Sequence, residues 1–245
     1  MEWVYLSPHL DDVAFSCGGL VWEQSRSGKK VGVWTICAGD PPNGPLPPLA
    51  ERLHARWGID RQAVSQRRSE DENSCRLMGA AWKHFTIPDC IYRRSTITGV
   101  PYYPEEDDIF GRLHHEEVNL VEKLTGLLAL ELPKDTNLVI PLGIGDHVDH
   151  SLVRLAAENL DRPLLYYADY PYVLKSRESD VEKYEGMEVL LSGLTDQSLQ
   201  VWEDAVTAYG SQISTFWQDE HSAKQSIREY HHKYNGVRLW QPVGG

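Results

Sequence analysis

Short apolar runs of strand length alternate along this chain with longer segments of helical spacing, and that rhythm restricts the possible folds most. Trp3–Leu6 reads as a buried strand and Val13–Ser25 as a helix. Lys30–Ala38 is a second strand rich in β-branched residues, followed by a Pro/Gly-rich loop from Pro41 to Pro48. Ile59–Met78 is a long charged helix, Lys83–Ile87 a short strand, and 91–108 a loop. Leu113–Leu132 carries leucines at helical spacing, Asn137–Pro141 is a fourth strand, Ser151–Leu160 a helix and Pro163–Ala168 a fifth strand. The remainder is expected to be mainly helical, with Leu199–Phe216 its clearest segment. This order favours an α/β fold with a mostly parallel sheet and helices on both faces. Functional sites then belong at the carboxyl ends of the strands. With 245 residues, one domain over 1–245 is expected.

Composition narrows the partners. A formal net charge of −12 argues against nucleic acid or an anionic membrane as the main partner. No apolar run reaches the ~18–20 residues of a membrane span. Glu2 stands where a secretory leader would be basic, so a cytoplasmic protein is expected. Four cysteines lack CxxC spacing and fit reduced, buried thiols. The acidic run Glu105–Asp108 has no interleaved histidine and reads as a solvated loop.

Two clusters at strand ends carry the chemistry. Pro8-His9-Leu10-Asp11-Asp12 follows the first strand, and Asp146-His147-Val148-Asp149-His150 follows the fourth. A single aspartate before a helix can simply cap it. Two carboxylates packed beside a histidine repel one another unless a cation joins them. Imidazole and carboxylate are ordinary zinc ligands, and a spare carboxylate can act as a base. Cys17-Gly18-Gly19 lies inside the first helix, which does not fit a dinucleotide-binding G-x-G-x-x-G turn.

Pro-His-x-Asp-Asp and His-x-Asp-His, in this order and separation, resemble the signature motifs of the N-acetylglucosaminyl deacetylase family, the LmbE-like or PIG-L-like zinc hydrolases. Arg67-Arg68-Ser69-Glu70 is similar to the family's Arg-x-x-Glu helix, and Tyr167–Tyr172 and Tyr209–Gln212 are similar to segments of a bacterial subgroup. The resemblance implies a Rossmann-like deacetylase domain. It makes His9, Asp12 and His150 the metal ligands, Asp11 the general base, and His147 a protonated group that stabilises the oxyanion or acts as acid. Asp149 would orient a neighbouring histidine, and Arg68 (or Arg67) would contact substrate. Zinc is the implied metal, and iron(II) or another divalent ion suits two histidines and a carboxylate as well. The implied substrate is a small N-acetylated amino sugar or its conjugate. Hydrolysis of another amide, or metal or sugar binding without catalysis, are the alternatives. One departure is visible: some members carry a tyrosine where this chain has Gly145. Tyr92, Tyr102 and Tyr170 are candidates to replace it, and Asp89 reads as a turn residue.

Overall fold

A computed structural model describes residues 1–59, 62–175 and 182–244. Its strands are β1 (Trp3–Ser7), β2 (Val31–Thr35), β3 (Ala81–His84), β4 (Asn137–Pro141), β5 (Leu164–Tyr167), β6 (Met187–Ser192) and β7 (Val237–Pro242). The described α-helices are α1 (Asp12–Arg26), α2 (Pro48–Trp57), α3 (Ala63–Met78), α4 (Val118–Glu131), α5 (Val148–Glu158), α6 (Asp196–Thr207), α7 (Gly210–Phe216) and α8 (Glu220–Tyr234). One sheet runs β3-β2-β1-β4-β5-β7-β6. Strands β1 to β5 pair in parallel, and β7 pairs antiparallel with both β5 and β6. The mostly parallel α/β reading holds.

The differences have local causes. The β6–β7 pair lies where helix was expected, because strand Met187–Ser192 is half exposed and lacks an apolar alternation. Leu199–Phe216 divides at Tyr209 into α6 and α7. The long helix begins at Ala63 rather than Ile59, and residues 60 and 61 of that expectation lie outside the described residues. Helix α5 begins at Val148, three residues before the predicted Ser151. That shift puts His150 inside the first turn and makes His147 the residue that caps it.

Central β1 is buried from Val4 to Ser7, as a strand covered on both faces must be. The glycines of α1 explain how one face is covered. A Cβ on Gly18 would lie 2.8 Å from the Trp202 ring, and one on Gly19 2.6 Å from Leu194. Their absence lets α6 approach α1 closely, and Trp202 donates its indole N–H to the Ala14 carbonyl at 2.8 Å. Trp202 is fully buried, so its truncation to alanine would cost about 3–5 kcal/mol. Chain direction also fixes the site. The path leaves β1 toward β2 on one side and resumes at β4 on the other, so the crevice at the carboxyl ends of β1 and β4 is the switch point of the sheet.

Candidate active site

The turn after β1 presents its carboxylates to the crevice because another group satisfies the helix. The backbone N–H of Val13 donates to Ser7 Oγ at 3.2 Å, while Asp11, at the capping position, makes no capping bond through its side chain. Asp11 is therefore not a side-chain cap of the helix. Asp12 Oδ2 accepts the His9 backbone N–H at 2.7 Å and lies 3.2 Å from His9 Nδ1. Across the switch point, Asp12 Oδ1 lies 3.3 Å from Nε2 of His150.

Each of these two imidazoles is held from behind. His9 Nε2 lies 3.0 Å from Asp149 Oδ2, and His150 Nδ1 lies 2.6 Å from Asp169 Oδ1. Their remaining nitrogens both face Asp12. Nε2 of His150 is buried and makes no hydrogen bond, the condition of a donor atom prepared for a cation. His9, His147 and His150 offer ring nitrogens within 4.8 Å of one another, as His9, Asp11 and Asp12 do with their own donor atoms. The residue set thus fits a divalent metal, with a carboxylate behind each of the two imidazoles.

Charge reinforces the arrangement. Burial opposes ionisation of Asp12, yet His150 and His9 beside it hold its carboxyl well below the usual range. Burial also opposes a charged His150, but Asp12 and Asp169 push it up to about 9. His9 is likewise raised, by Asp89 and Asp12 against the cost of burial. Asp11 behaves oppositely to Asp12. Burial and then the neighbouring Asp12 push it up to about 7, with Arg67 opposing. A carboxylate poised there is a proton acceptor near neutral pH.

His147 differs from the expectation of a protonated group. Burial, then the charges of His9 and His150, lower it well below 6.5. Its Nδ1 accepts the Asp149 backbone N–H at 3.2 Å, so the neutral ring carries its proton on Nε2. It is a neutral N–H donor. The histidine that the Asp149 carboxylate meets is His9, with Oδ2 3.0 Å from Nε2.

Arg67, rather than Arg68, lines the pocket. Arg67 is 7% exposed and 3.5 Å from Asp11, whereas Arg68 turns to the Ala38 carbonyl and to Asp40 at 2.7 Å. Helical phase decides this, since adjacent residues point about 100° apart. Asp89 does close a turn, accepting from the Ile91 N–H at 3.1 Å, but its other oxygen lies 3.8 Å from both His9 and Arg67. In the acidic run Glu105 pairs with Arg52 and Glu106 with Arg56, the latter pair at the edge of the pocket.

The residue that takes the space beside Gly145 is none of the three expected tyrosines but Tyr172, which packs edge-on to His150 at 5.7 Å. Tyr92, Tyr102 and Tyr170 spend their hydroxyls on His54, Glu116 and Ser226. Asp169 and Arg93 carried no assigned role in the sequence reading. The position of Asp169 just past the end of β5 was the available signal; Arg93, in an irregular loop, offered none. The pocket itself holds about 520 Å³, with Trp57, Phe110, Phe216 and Trp217 on its walls and Gln212 and Lys175 among its polar groups.

Comparison with known proteins bears on the family and the fold. The family model PIG-L, described as GlcNAc-PI de-N-acetylase, matches residues 4–160. A 2'-N-acetylparomamine deacetylase of Niallia circulans is 29% identical over 90% of this chain and 84% of its own. The solved structure of an A40926 pseudoaglycone deacetylase is 27% identical with a TM-score of 0.73, covering 98% of this chain and 96% of that one. A zinc-inhibited form of a teicoplanin deacetylase, 24% identical with a TM-score of 0.80 over 99% and 97%, shares the fold.

Proposed function

Because this chain belongs to the PIG-L family, GlcNAc-PI de-N-acetylase, we propose that it is a metal-dependent deacetylase of N-acetylated amino sugars or their small conjugates. The observation that carries this reading is the pair of carboxylate-backed imidazoles, His9 and His150, whose free nitrogens converge on Asp12. The single sheet spanning both parts of the chain supports reading 1–245 as one catalytic domain.

His9, Asp12 and His150 would hold the metal. When bound, a divalent ion such as zinc polarises an acyl carbonyl and makes a neighbouring water more acidic. Asp11 accepts the proton of the attacking water as its oxygen adds to the amide carbon. His147 donates its Nε2–H to the carbonyl oxygen as negative charge develops there. Asp11 then returns the proton to the sugar nitrogen, the C–N bond breaks, and acetate and a free amine result. Arg67 binds the sugar beside Asp89, and the aromatic walls take apolar ring faces of sugar or aglycone.

The 29%-identical relative is named a 2'-N-acetylparomamine deacetylase and the 27%-identical structure a deacetylase of the pseudoaglycone of the antimicrobial A40926, which favours an amino-sugar conjugate over a free monosaccharide. The test is release of free amine from 2'-N-acetylparomamine, N-acetylglucosamine and an N-acetylated glycopeptide by protein loaded in turn with zinc and iron(II). Absence of amine release with all three substrates and both metals overturns the reading. Zinc's role in inhibiting the related teicoplanin enzyme makes metal concentration a variable of that assay.

A further inference from the structure

Arg93 lies beneath the site and takes no part in the chemistry above. Its guanidinium, on a residue 7% exposed, spans two carboxylates that are more deeply buried still. Nε and Nη2 donate to Glu117, whose other contact is the Tyr103 hydroxyl, and Nη1 donates to Oδ1 of Asp149. Nη1 also reaches the Pro88 carbonyl at 3.2 Å. The second oxygen of Asp149, Oδ2, accepts the Cys90 backbone N–H at 2.9 Å and faces His9 Nε2 at 3.0 Å. Both oxygens of this fully buried carboxylate are thus committed, and its orientation is fixed on two sides.

Such a network is a poor way to gain stability, because taking a guanidinium and two carboxylates out of water is costly. Its geometry instead has a consequence at the metal site. An imidazole that donates from one nitrogen presents a lone pair at the other, and which nitrogen does so follows from the partner behind it.

We propose that Arg93 is a positioning residue of the metal centre: by holding Oδ1 of Asp149 it leaves Oδ2 to receive the His9 Nε2–H, which turns the Nδ1 lone pair toward Asp12. This rests on the reading of His9, Asp12 and His150 as metal ligands. Glu117 and Tyr103 are the outer anchors that keep the guanidinium in its plane.

The test compares the full-length wild type with Arg93→Met, Arg93→Lys and Glu117→Gln. Three quantities are read: zinc affinity by competition with a chromophoric chelator, the visible absorption of the cobalt-loaded protein, and the melting temperature without metal. Arg93→Met is expected to weaken zinc binding about ten- to a hundredfold and to change the cobalt bands. Arg93→Lys, which keeps a cation at Oδ1, is expected to recover most of the affinity. A network serving only to tie the 88–117 segment to α5 would lower melting while leaving metal affinity and cobalt bands as in wild type. That result in folded Arg93→Met overturns the proposal. Should Arg93→Met not fold, the same reading is taken on Glu117→Gln, expected to weaken zinc severalfold; unchanged affinity there also overturns it. A wild type that takes up neither zinc nor cobalt rejects the ligand reading itself, which is distinct from wild type and variants binding equally.

Discussion

A Cβ placed on Gly145 would stand 3.0 Å from Cβ and 3.1 Å from Cγ of Tyr172, so these two residues share one space beside the metal site. Gly145 has φ +91°, a conformation that glycine adopts without cost and other residues adopt rarely. The ring it admits packs against His150 and Phe110, and among the described residues no group hydrogen-bonds the Tyr172 hydroxyl. We propose that this hydroxyl meets the substrate. Tyr172→Phe preserves the packing and should lower kcat by up to about a hundredfold, somewhat below the loss of a full oxyanion donor. Gly145→Ala should displace the ring and reduce activity, with much less effect when Tyr172 is already Phe. Steady-state kinetics on the four proteins, with metal content measured in each, decide it; additive losses would separate the two residues.

Asp11→Asn should keep metal and lose turnover. The amide copies the shape of the carboxylate but accepts no proton, and a general base contributes about 10²–10⁴-fold. Asp12, not Asp11, faces both proposed ligand imidazoles, so metal content by elemental analysis should stay at the wild-type level. Wild-type kcat in a metal-loaded Asp11→Asn protein would assign the base elsewhere.

Arg67 and Arg68 should respond in opposite ways. Arg67 lies in the pocket, stacked over Trp57 at 4.9 Å and beside Asp11. Arg67→Lys should raise KM about tenfold, since a point charge does not replace a planar fork. Arg68→Ala removes a partly exposed pair with Asp40, worth about 0–1 kcal/mol, and should leave kinetics near wild type. The reverse pattern would return substrate binding to Arg68.

The contrast between these arginines marks how much was legible in the sequence. Strand ends could be located from apolar runs, and with them His9, Asp11, Asp12, His147, Asp149 and His150, because each cluster lies within a few residues of the end of its strand. Rotation about a helix could not, since α3 is charged nearly all round and gives no apolar stripe to orient Arg67 against Arg68. Partners brought together by tertiary structure were also hidden. Nothing local tells that Asp149 lies on His9, 140 residues away, or that Arg93 lies behind it. The β6–β7 pair was missed for a related reason: its exposed Val189 and Leu191 break the pattern by which a half-buried strand is recognised.

Metal affinity should rise with pH. In the metal-free protein His150 is pushed up to about 9, so at pH 7 it carries a proton that a metal must displace. Each displaced proton steepens the dependence by about tenfold per pH unit below that pKa, and His9, also raised, adds a second. Chelator competition between pH 6.5 and 9 reads the slope. The linked effect on stability has the opposite sense. A folded-state pKa raised above the usual 6.5 stabilises the protein fully below about 6.5, and this contribution is lost as pH rises through about 9. Metal-free protein should therefore melt at lower temperature at pH 9 than at pH 6.5, while metal-loaded protein should lose less. A pH-independent affinity would mean that the ligand imidazoles are already neutral.

His147 provides the clearest test of catalysis against binding alone. It caps α5 three residues before His150, with Nδ1 occupied by a backbone N–H and Nε2–H left to donate. Losing such a donor typically costs about 10²–10³-fold in turnover. His147→Ala should accordingly lower kcat far more than it raises KM, and its metal content should match wild type, because its ring is not one of the two backed by a carboxylate. The pH profile distinguishes the protonation state. In the metal-free protein burial and the charges of His9 and His150 hold this imidazole well below its usual range, and the neutral ring is expected to lose no proton across the working range. Any alkaline limb of kcat/KM in the wild type must come from another group and should survive in His147→Ala. Disappearance of that limb would show a charged His147 and restore the imidazolium that the motif first suggested. Unchanged kcat would remove the residue from the mechanism and leave the developing charge to the metal and Tyr172.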